Sequence, residues 1–172
     1  MEEFIDIINE KDKVIKKVTR KEIVEKALLH RASRVIIINN NEEFLVQKRS
    51  KNKDLYPNHY DVGIGETVKS GESYEAAAIR GLKEELGITN ISNIQLIHSF
   101  LFKIKYNSKK HNSYYKVYEL QYNGKLRLQQ EEIQNVKFLT IENIKKDMRK
   151  KLFHPGGTMV FKKYLNLKIR KF

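Results

Sequence analysis

The residues of this 172-residue chain best suited to chemistry lie in one stretch, residues 65–88, which reads GETVKSGESYEAAAIRGLKEELGI. It contains the adjacent carboxylates Glu84 and Glu85, with Glu72 a short distance before them. Carboxylates crowded on one helix repel one another, and a divalent cation that draws them together removes that repulsion. Hard oxygen ligands of this kind suit Mg²⁺ or Mn²⁺. The stretch therefore predicts a divalent-metal site.

A loop followed by a helix must position these carboxylates. We predict a helix over residues 74–86, because Ser73 is a good N-cap residue and Gly87 suits the turn that ends a helix. The alternative is an exposed amphipathic helix whose Glu84–Glu85 pair is merely solvated. The complete set of spacings favours the metal site over that alternative.

The spacing resembles the Nudix box, the signature motif of the Nudix hydrolase superfamily. That pattern runs Gly, five residues, Glu, seven residues, Arg-Glu, an aliphatic residue, any residue, Glu-Glu, any residue, Gly and an aliphatic residue. Two positions depart from it, because Glu66 stands at the first glycine and Gly81 at the glutamate after the arginine. The other seven of the nine fixed positions match, and they are Glu72, Arg80, Leu82, Glu84, Glu85, Gly87 and Ile88. The resemblance extends over roughly residues 30–155.

The resemblance implies roles for individual residues of the box. The carbonyl group of Gly65 and the carboxylates of Glu72, Glu84 and Glu85 would hold the metal, which is Mg²⁺ or Mn²⁺. Glu72 would act directly, through water, or by pairing with Arg80. Arg80 would be a catalytic-site residue that orients the glutamates rather than a reacting group, and Glu85 would take part in catalysis.

Residues outside the box complete the expected site. Arg49 and Lys53 lie in a segment that resembles the one in isopentenyl-diphosphate isomerases and their Nudix relatives, where matching basic residues contact the substrate diphosphate. An arginine fork beside a lysine charge suits a diphosphate, although an ordinary exposed strand end is the alternative. Nudix proteins commonly bring a further carboxylate from a later loop. Glu132 is our choice for the catalytic base and Glu131 the reserve, with a solvated acidic loop as the alternative.

Gly81 raises the question of whether the site is catalytically complete. Its helical spacing places it on one face with Glu84 and Glu85, and in many Nudix hydrolases a glutamate here binds metal or acts as a base. Three accounts stay open. Glu132 supplies the base from outside the box, or Glu66 reaches into the space that Gly81 vacates. In the third account the chain is a weak or inactive hydrolase.

Several features outside the box resemble the isopentenyl-diphosphate-isomerase-like branch of the superfamily, among them an N-terminal hairpin and helix. His30 matches a metal-ligand histidine of the isomerases, although a lone histidine at a helix end is more often a packed side chain. The isomerase reaction itself is not expected. Ile64, which cannot transfer a proton, stands where the isomerase uses a cysteine, and the chain has no cysteine. Two further isomerase histidines are replaced by Glu66 and Ile23.

Composition narrows the classes of partner and location. The net charge of +13 would attract an anionic phosphate substrate. Twenty-six of the 34 basic residues are lysine and only eight are arginine, so a nucleic-acid partner is not expected. There is no apolar run long enough for a transmembrane helix, so no membrane partner is expected either. The N-terminus lacks the order of a signal peptide, and the absence of cysteine excludes disulfides, which together predict a cytoplasmic protein.

The hydrophobic patterns alone predict a mixed α and β chain, expected to be one domain over residues 1–172 with residues 1–30 forming the N-terminal hairpin and helix. The resemblance implies an α/β (α+β) fold, the Nudix α/β/α sandwich with a mixed central sheet and C-terminal helices. A capping box formed by Thr19 and Glu22 predicts a helix that ends near Leu29. Further strands are predicted near residues 35–38, 44–48, 94–105, 113–122 and 136–139, with residues 107–112 connecting the strands at 94–105 and 113–122. Further helices are predicted at 141–151 and 157–168.

The function that follows is a Mg²⁺-dependent Nudix pyrophosphohydrolase. Its substrate would be a nucleoside diphosphate linked to another moiety, or a similar small diphosphate. The alternative from another class is a catalytically silent Nudix module that binds a nucleotide, a diphosphate or a partner protein. Many relatives dimerise, so a homodimer is the assembly to test.

Overall fold

The computed structural model of the chain describes residues 2–106 and 109–169. Within this part of the chain the elements are β1 (Phe4–Ile8), β2 (Val14–Thr19), α1 (Arg20–Lys26), β3 (His30–Ile38), β4 (Phe44–Arg49), β5 (Tyr60–Val62), β6 (Ile64–Thr67), α2 (Tyr74–Leu86), β7 (Gln95–Tyr106), β8 (Lys109–Gln121), β9 (Ile133–Leu139), α3 (Ile141–Met148) and α4 (Pro155–Ile169). None of the helices described here combines the length and hydropathy needed to cross a membrane.

The strands form one mixed sheet with β3 at its centre. Strand β3 runs parallel to β8 from the pair His30–Ser113 to the pair Ile38–Gln121, and antiparallel to β1, β4 and β6. Strand β4 continues the sheet through antiparallel pairing with β5 and β9. Both faces of this central strand are covered by other elements, and the apolar run Val35–Ile37 is accordingly almost completely buried.

Helices cover both faces of the sheet, which confirms the predicted α/β/α sandwich. Successive strand residues point to opposite faces, and Val35 and Ile36 pack in different clusters. Helix α2 covers the first face, where its buried apolar side chains are Tyr74, Ala77, Ala78, Leu82 and Leu86. Helix α4 covers the second face, and its contribution there is Val160, Phe161 and Tyr164.

The N-terminal hairpin is confirmed, and so is the capping box that starts α1. Glu22 N–H donates to Thr19 Oγ1 at 3.2 Å, and Thr19 N–H donates to Glu22 Oε2 at 3.4 Å. The predicted end of this helix near Leu29 is wrong, because Ala27 adopts a left-handed conformation with φ of 52° and stops the helix. The histidine expected at a helix end, His30, is therefore the first residue of β3.

Helix α2 has the bounds that the sequence predicts. Ala76 N–H donates to Ser73 Oγ at 3.0 Å, and Gly87 closes the helix at a φ of 67° that favours glycine. Strands β5 and β6 were not predicted, because each is short and they lie on either side of a glycine, Gly63. The predicted connection at residues 107–112 is partly wrong, since Lys109 already belongs to β8; residues 107 and 108 lie outside the described chain.

The C-terminal helices differ from their predicted bounds at one end each. Helix α3 ends at Met148 rather than near residue 151. Helix α4 begins at Pro155, two residues earlier than predicted. A proline suits the first turn of a helix, because its fixed φ is helical and it lacks an N–H group that would have no partner there.

Candidate active site

A cleft of about 490 Å³ lies between the N-terminal end of β3, strand β6, helix α2 and two loops. The first loop is residues 50–56, which follow β4 and its last residue Arg49, and the second is residues 129–132, which precede β9. The cleft brings together all of the predicted site residues except Glu72, and they are Arg49, Lys53, Gly65, Arg80, Glu84, Glu85 and Glu132.

Arg80 organises the carboxylates on one side of the cleft. Its Nε and Nη2 atoms donate to the two carboxylate oxygens of Glu72 at 2.9 and 3.1 Å. Its Nη1 atom donates to Glu66 Oε2 at 2.9 Å and lies 3.5 Å from Glu84 Oε2. The Nη2 atom also donates to the carbonyl oxygen of Thr67 at 3.0 Å. Every nitrogen of the guanidinium group is therefore used, as expected for a positioning residue.

Glu72 lies behind Arg80 rather than in the cleft. Of the three ways in which it could support the site, the structure shows pairing with Arg80. Its Oε2 atom also accepts the N–H of Lys69 at 2.9 Å, which fixes the loop before α2. Burial raises the pKa of Glu72, but the hydrogen bonds from Arg80 and Lys69 outweigh burial, so that the pKa lies below its ordinary value.

Glu66 occupies the space next to Gly81 on helix α2. A Cβ atom on residue 81 would lie 2.5 Å from Glu66 Cγ and 2.9 Å from Glu66 Oε1, closer than real contacts allow. The Glu66 side chain therefore takes the space that a side chain on residue 81 would need. This placement matches the second of the three accounts of Gly81, in which Glu66 reaches into the space that Gly81 vacates.

Glu85 is the most deeply placed carboxylate of the cleft, with only 7% of its surface exposed. Burial raises its pKa well above the ordinary value, and the neighbouring charge and hydrogen bond of Glu66 raise the pKa further. Lys53 opposes this shift, and the charge of Glu132 adds to it. Burial and the neighbouring charge therefore favour the protonated form of the Glu85 carboxyl group in the metal-free protein.

Cationic side chains of the protein lie beside two other carboxylates of the cleft, Glu132 and Glu84. Lys53 Nζ bonds to Glu132 Oε2, and Glu84 lies beside Arg80 with 54% of its side chain exposed. Among the described residues, no group of three or more histidine, aspartate or glutamate side chains is arranged closely enough to hold a metal ion as they stand. The donor set of Glu84, Glu85 and the Gly65 carbonyl is made of oxygen atoms only, which suits a hard divalent cation.

The two basic residues outside the box have different surroundings. Arg49 donates from Nε to the carbonyl oxygen of Tyr56 at 3.1 Å and from Nη2 to that of Leu55 at 2.9 Å. It thus holds the loop that forms one wall of the cleft. Lys53 lies on that loop and pairs with Glu132. Contact of either residue with a diphosphate stays a prediction.

A buried ion pair beside the cleft was not identified from the sequence, although one of its members, Arg34, lines the cleft. Arg34 Nη1 lies 2.7 Å from Asp61 Oδ2, and both side chains are at most 3% exposed. A Cβ atom on Gly65 would lie 2.7 Å from Arg34 Cζ, so the guanidinium group packs directly against the backbone of Gly65. Burial opposes the charge of Arg34, but Asp61 outweighs burial and raises the pKa of the guanidinium group. The sequence did offer one signal for this pair, because Arg34 is a charged residue next to the apolar run of β3.

His30 also lines the cleft, and both of its ring nitrogens have partners in the protein. Nδ1 lies 2.9 Å from the carbonyl oxygen of Leu28, and Nε2 lies 3.2 Å from Ser113 Oγ. With both nitrogens engaged and 8% of its surface exposed, His30 has the surroundings of a packed structural histidine. This arrangement matches the packed side chain that was the alternative to a metal-ligand role for His30.

Comparison with known proteins identifies the family. The family model described as the NUDIX domain matches residues 28–157. The uncharacterized Nudix hydrolase PA4841 of Pseudomonas aeruginosa is 29% identical over 95% of this chain and 94% of its own length. The uncharacterized Nudix hydrolase lin0387 of Listeria innocua is 33% identical over 84% of this chain and 83% of its own.

A solved structure supports the same assignment at the level of the fold. The crystal structure of DR0079 from Deinococcus radiodurans superposes with a TM-score of 0.75 at 25% identity, covering 93% of this chain and 98% of that one. The family match covers most of the chain, and it includes the helix and the loops that form the cleft. The chain therefore belongs to the Nudix family.

Proposed function

We propose that this protein is a pyrophosphohydrolase that depends on Mg²⁺ or Mn²⁺. Its substrate would be a nucleoside diphosphate linked to another moiety, or a similar small diphosphate. The observation that carries the proposal is the buried carboxyl group of Glu85, which lies beside Glu66 in a cleft that Lys53 also lines. Crowded oxygen donors together with a basic residue suit a metal-bound diphosphate.

The residues present fit a divalent cation. Glu84, Glu85 and the Gly65 carbonyl oxygen would hold it, with Glu72 acting through Arg80. A cation in this place would offset the burial and the neighbouring Glu66 charge that raise the pKa of Glu85. When bound, such an ion neutralises phosphate charge and helps a water molecule to ionise.

The side chains of the protein would divide the remaining work. Arg49 holds the loop through Leu55 and Tyr56, and Lys53 on that loop would donate to the diphosphate. Lys53 would then pair with the diphosphate instead of with Glu132. The Glu132 carboxylate, released from Lys53, would accept a proton from the attacking water. Arg80 stays charged throughout and holds Glu66 and Glu72 in place.

The N-terminal hairpin and helix contribute to the cleft, which supports a single functional domain over residues 1–172. Arg20 and Val24 of α1 lie at its edge, and so does Asn112 of β8. This edge would contact the moiety attached to the diphosphate. The cytoplasmic location, the isomerase-like branch and the homodimer remain predictions.

A catalytically silent Nudix module is the second candidate, and Gly81 favours it, since the helix lacks a carboxylate at that position. Isomerisation has less support. Ile64, at the position of the isomerase cysteine, is 1% exposed and packs in the core rather than lining the cleft.

The test is a panel of nucleotide-sugar, dinucleotide and isoprenoid diphosphates, assayed with Mg²⁺ and with Mn²⁺. The wild-type protein is compared with Glu85→Gln and with Glu75→Gln, an exposed glutamate on the same helix. Turnover that disappears in Glu85→Gln and persists in Glu75→Gln supports the hydrolase. Tight binding of a diphosphate without turnover supports the silent module. If the wild-type protein neither binds nor hydrolyses any of these diphosphates, the proposal is contradicted.

A further inference from the structure

Glu66 and Gly81 fit one another as a pair from two different elements. Glu66 lies on β6, whose register places it opposite Ser33 of β3, and Gly81 lies on the face of α2 that packs against β6. The Glu66 side chain crosses the helix where Gly81 has no Cβ atom, with only 2.5 Å between Glu66 Cγ and the Cβ position of residue 81. A side chain at residue 81 and the present position of Glu66 exclude each other.

The direction of the Glu66 carboxylate is also fixed. Its Oε2 atom accepts from Arg80 Nη1 at 2.9 Å, and its side chain is only 15% exposed. Its other oxygen, Oε1, is the one that lies over Gly81. The carboxyl group is close enough to that of Glu85 to share a hydrogen bond, and both residues line the cleft. Glu66 therefore presents an oxygen to the same space as Glu85.

We infer that Glu66 supplies to the metal–diphosphate site the carboxylate that helix α2 lacks at residue 81, so that the two positions have exchanged a glycine and a glutamate. This inference rests on the proposed function. The carboxylate reaches the site from strand β6 rather than from the helix. Arg80 holds it in place, and the absence of a Cβ atom at Gly81 gives it room. The site then contains the same number of carboxylates without a glutamate at residue 81.

A purely structural role, in which Glu66 serves only as a partner of Arg80, predicts a different result for one variant. Glu66→Gln keeps the size of the side chain and an oxygen that accepts from Arg80, but it removes the negative charge. A structural role therefore predicts wild-type metal affinity in Glu66→Gln. A role at the metal predicts an affinity that falls by about 10- to 100-fold, the range seen when residues supporting a metal site are replaced.

The decisive experiment is an exchange cycle of Glu66→Gly, Gly81→Glu and the double variant, with Glu75→Gln as the exposed control. Mn²⁺ binding is measured by calorimetry in the presence of methylenediphosphonate, and thermal unfolding is recorded for each protein. Glu66→Gly should lose at least tenfold in affinity, and the double variant should recover most of that loss. Gly81→Glu alone should unfold at a lower temperature than the double variant, because only the single variant retains both side chains in one space.

Two results would overturn the inference while leaving the hydrolase proposal intact. One is wild-type Mn²⁺ affinity in Glu66→Gln, and the other is a folded double variant that binds no better than Glu66→Gly. If the double variant does not fold, Glu66→Gln decides alone, because it is nearly isosteric. Failure of the wild-type protein to bind Mn²⁺ would instead overturn the proposed function, and this inference with it.

Discussion

Replacing Arg80 by methionine tests the network that positions the site. Methionine keeps an apolar stem of similar length but removes the guanidinium fork. Three hydrogen bonds of 2.9 to 3.1 Å to Glu72 and Glu66 are lost, together with one to the Thr67 carbonyl oxygen. The two glutamates are each 15% exposed, so they would remain as poorly solvated carboxylates, with Glu66 still beside Glu85.

The expected loss of stability follows from this burial. Removing one partner of a buried ion pair costs about 3–5 kcal/mol, and we take about 2–4 kcal/mol here because each side chain retains some contact with water. For a chain of this size each kcal/mol lowers the melting temperature by about 2–4 °C, so the expected decrease is roughly 5–15 °C. Arg80→Lys should fall between the wild-type protein and Arg80→Met, because lysine keeps the charge without the fork.

Urea unfolding of the metal-free protein measures the effect, with melting followed by circular dichroism as a second readout. Arg20→Met is the matched control, since Arg20 pairs with Glu3 at 2.9 Å but the two side chains are 50% and 28% exposed. An exposed pair contributes at most about 1 kcal/mol. If Arg80→Met is no more destabilising than Arg20→Met, the Arg80 network does not hold the site together, and the reasoning is refuted.

Three further predictions concern other groups around the cleft. Asp61→Asn should lower the free energy of unfolding in urea by about 3–5 kcal/mol, because it leaves the buried charge of Arg34 uncompensated; a loss under 1 kcal/mol would contradict this. Burial and then Glu66 raise the pKa of Glu85, so the stabilising contribution of Glu85 is present below its unfolded-state pKa, near the ordinary 4.5, and is lost as the pH rises through the raised value. The melting temperature of metal-free Glu85→Gln, relative to that of the wild-type protein, should therefore rise as the pH increases above 4.5. A difference that does not change with pH would be evidence against the crowded carboxyl pair. Lys53→Met should weaken the calorimetric affinity for methylenediphosphonate with Mg²⁺ by at least about tenfold, since a charge-assisted hydrogen bond contributes about 1.5–3 kcal/mol, and an unchanged affinity would remove Lys53 from the substrate site.

Local sequence signals were sufficient for helix α2 and the N-terminal hairpin. The side chain of Ser73 caps the start of α2, and the backbone freedom of Gly87 allows the turn that ends it. Both effects act within a few residues, so the bounds of α2 follow from the local sequence. The end of α1 has no comparable signal. It stops because Ala27 adopts a left-handed conformation, which the sequence gives no reason to expect of an alanine.

The composition of the cleft was predictable, but its contacts were not. The box motif places Arg80 and Glu85 on one helix, and both line the cleft. The approach of Glu66 to Gly81 depends on how β6 packs against α2. The spacing of these residues along the sequence does not reveal that distance. The pairing of Lys53 with Glu132 likewise joins two loops through tertiary structure alone.

The Arg34–Asp61 pair shows the same limit in the core. Each residue lies in a short apolar strand segment, and nothing in either segment identifies the other as its partner. Strand β6, which pairs with β3, brings Gly65 against Arg34. A buried charge in such a segment predicts a partner, but only the register of the sheet decides which residue it is.

Calorimetric titration of Mg²⁺ into the wild-type protein and into Glu85→Gln, each saturated with a non-hydrolysable diphosphate, tests the central claim most directly. A site formed by Glu84, Glu85 and the Gly65 carbonyl oxygen predicts saturable binding by the wild-type protein and an affinity at least about tenfold lower in Glu85→Gln. Equal affinities in the two proteins, or no binding by either, would contradict a metal site at this helix.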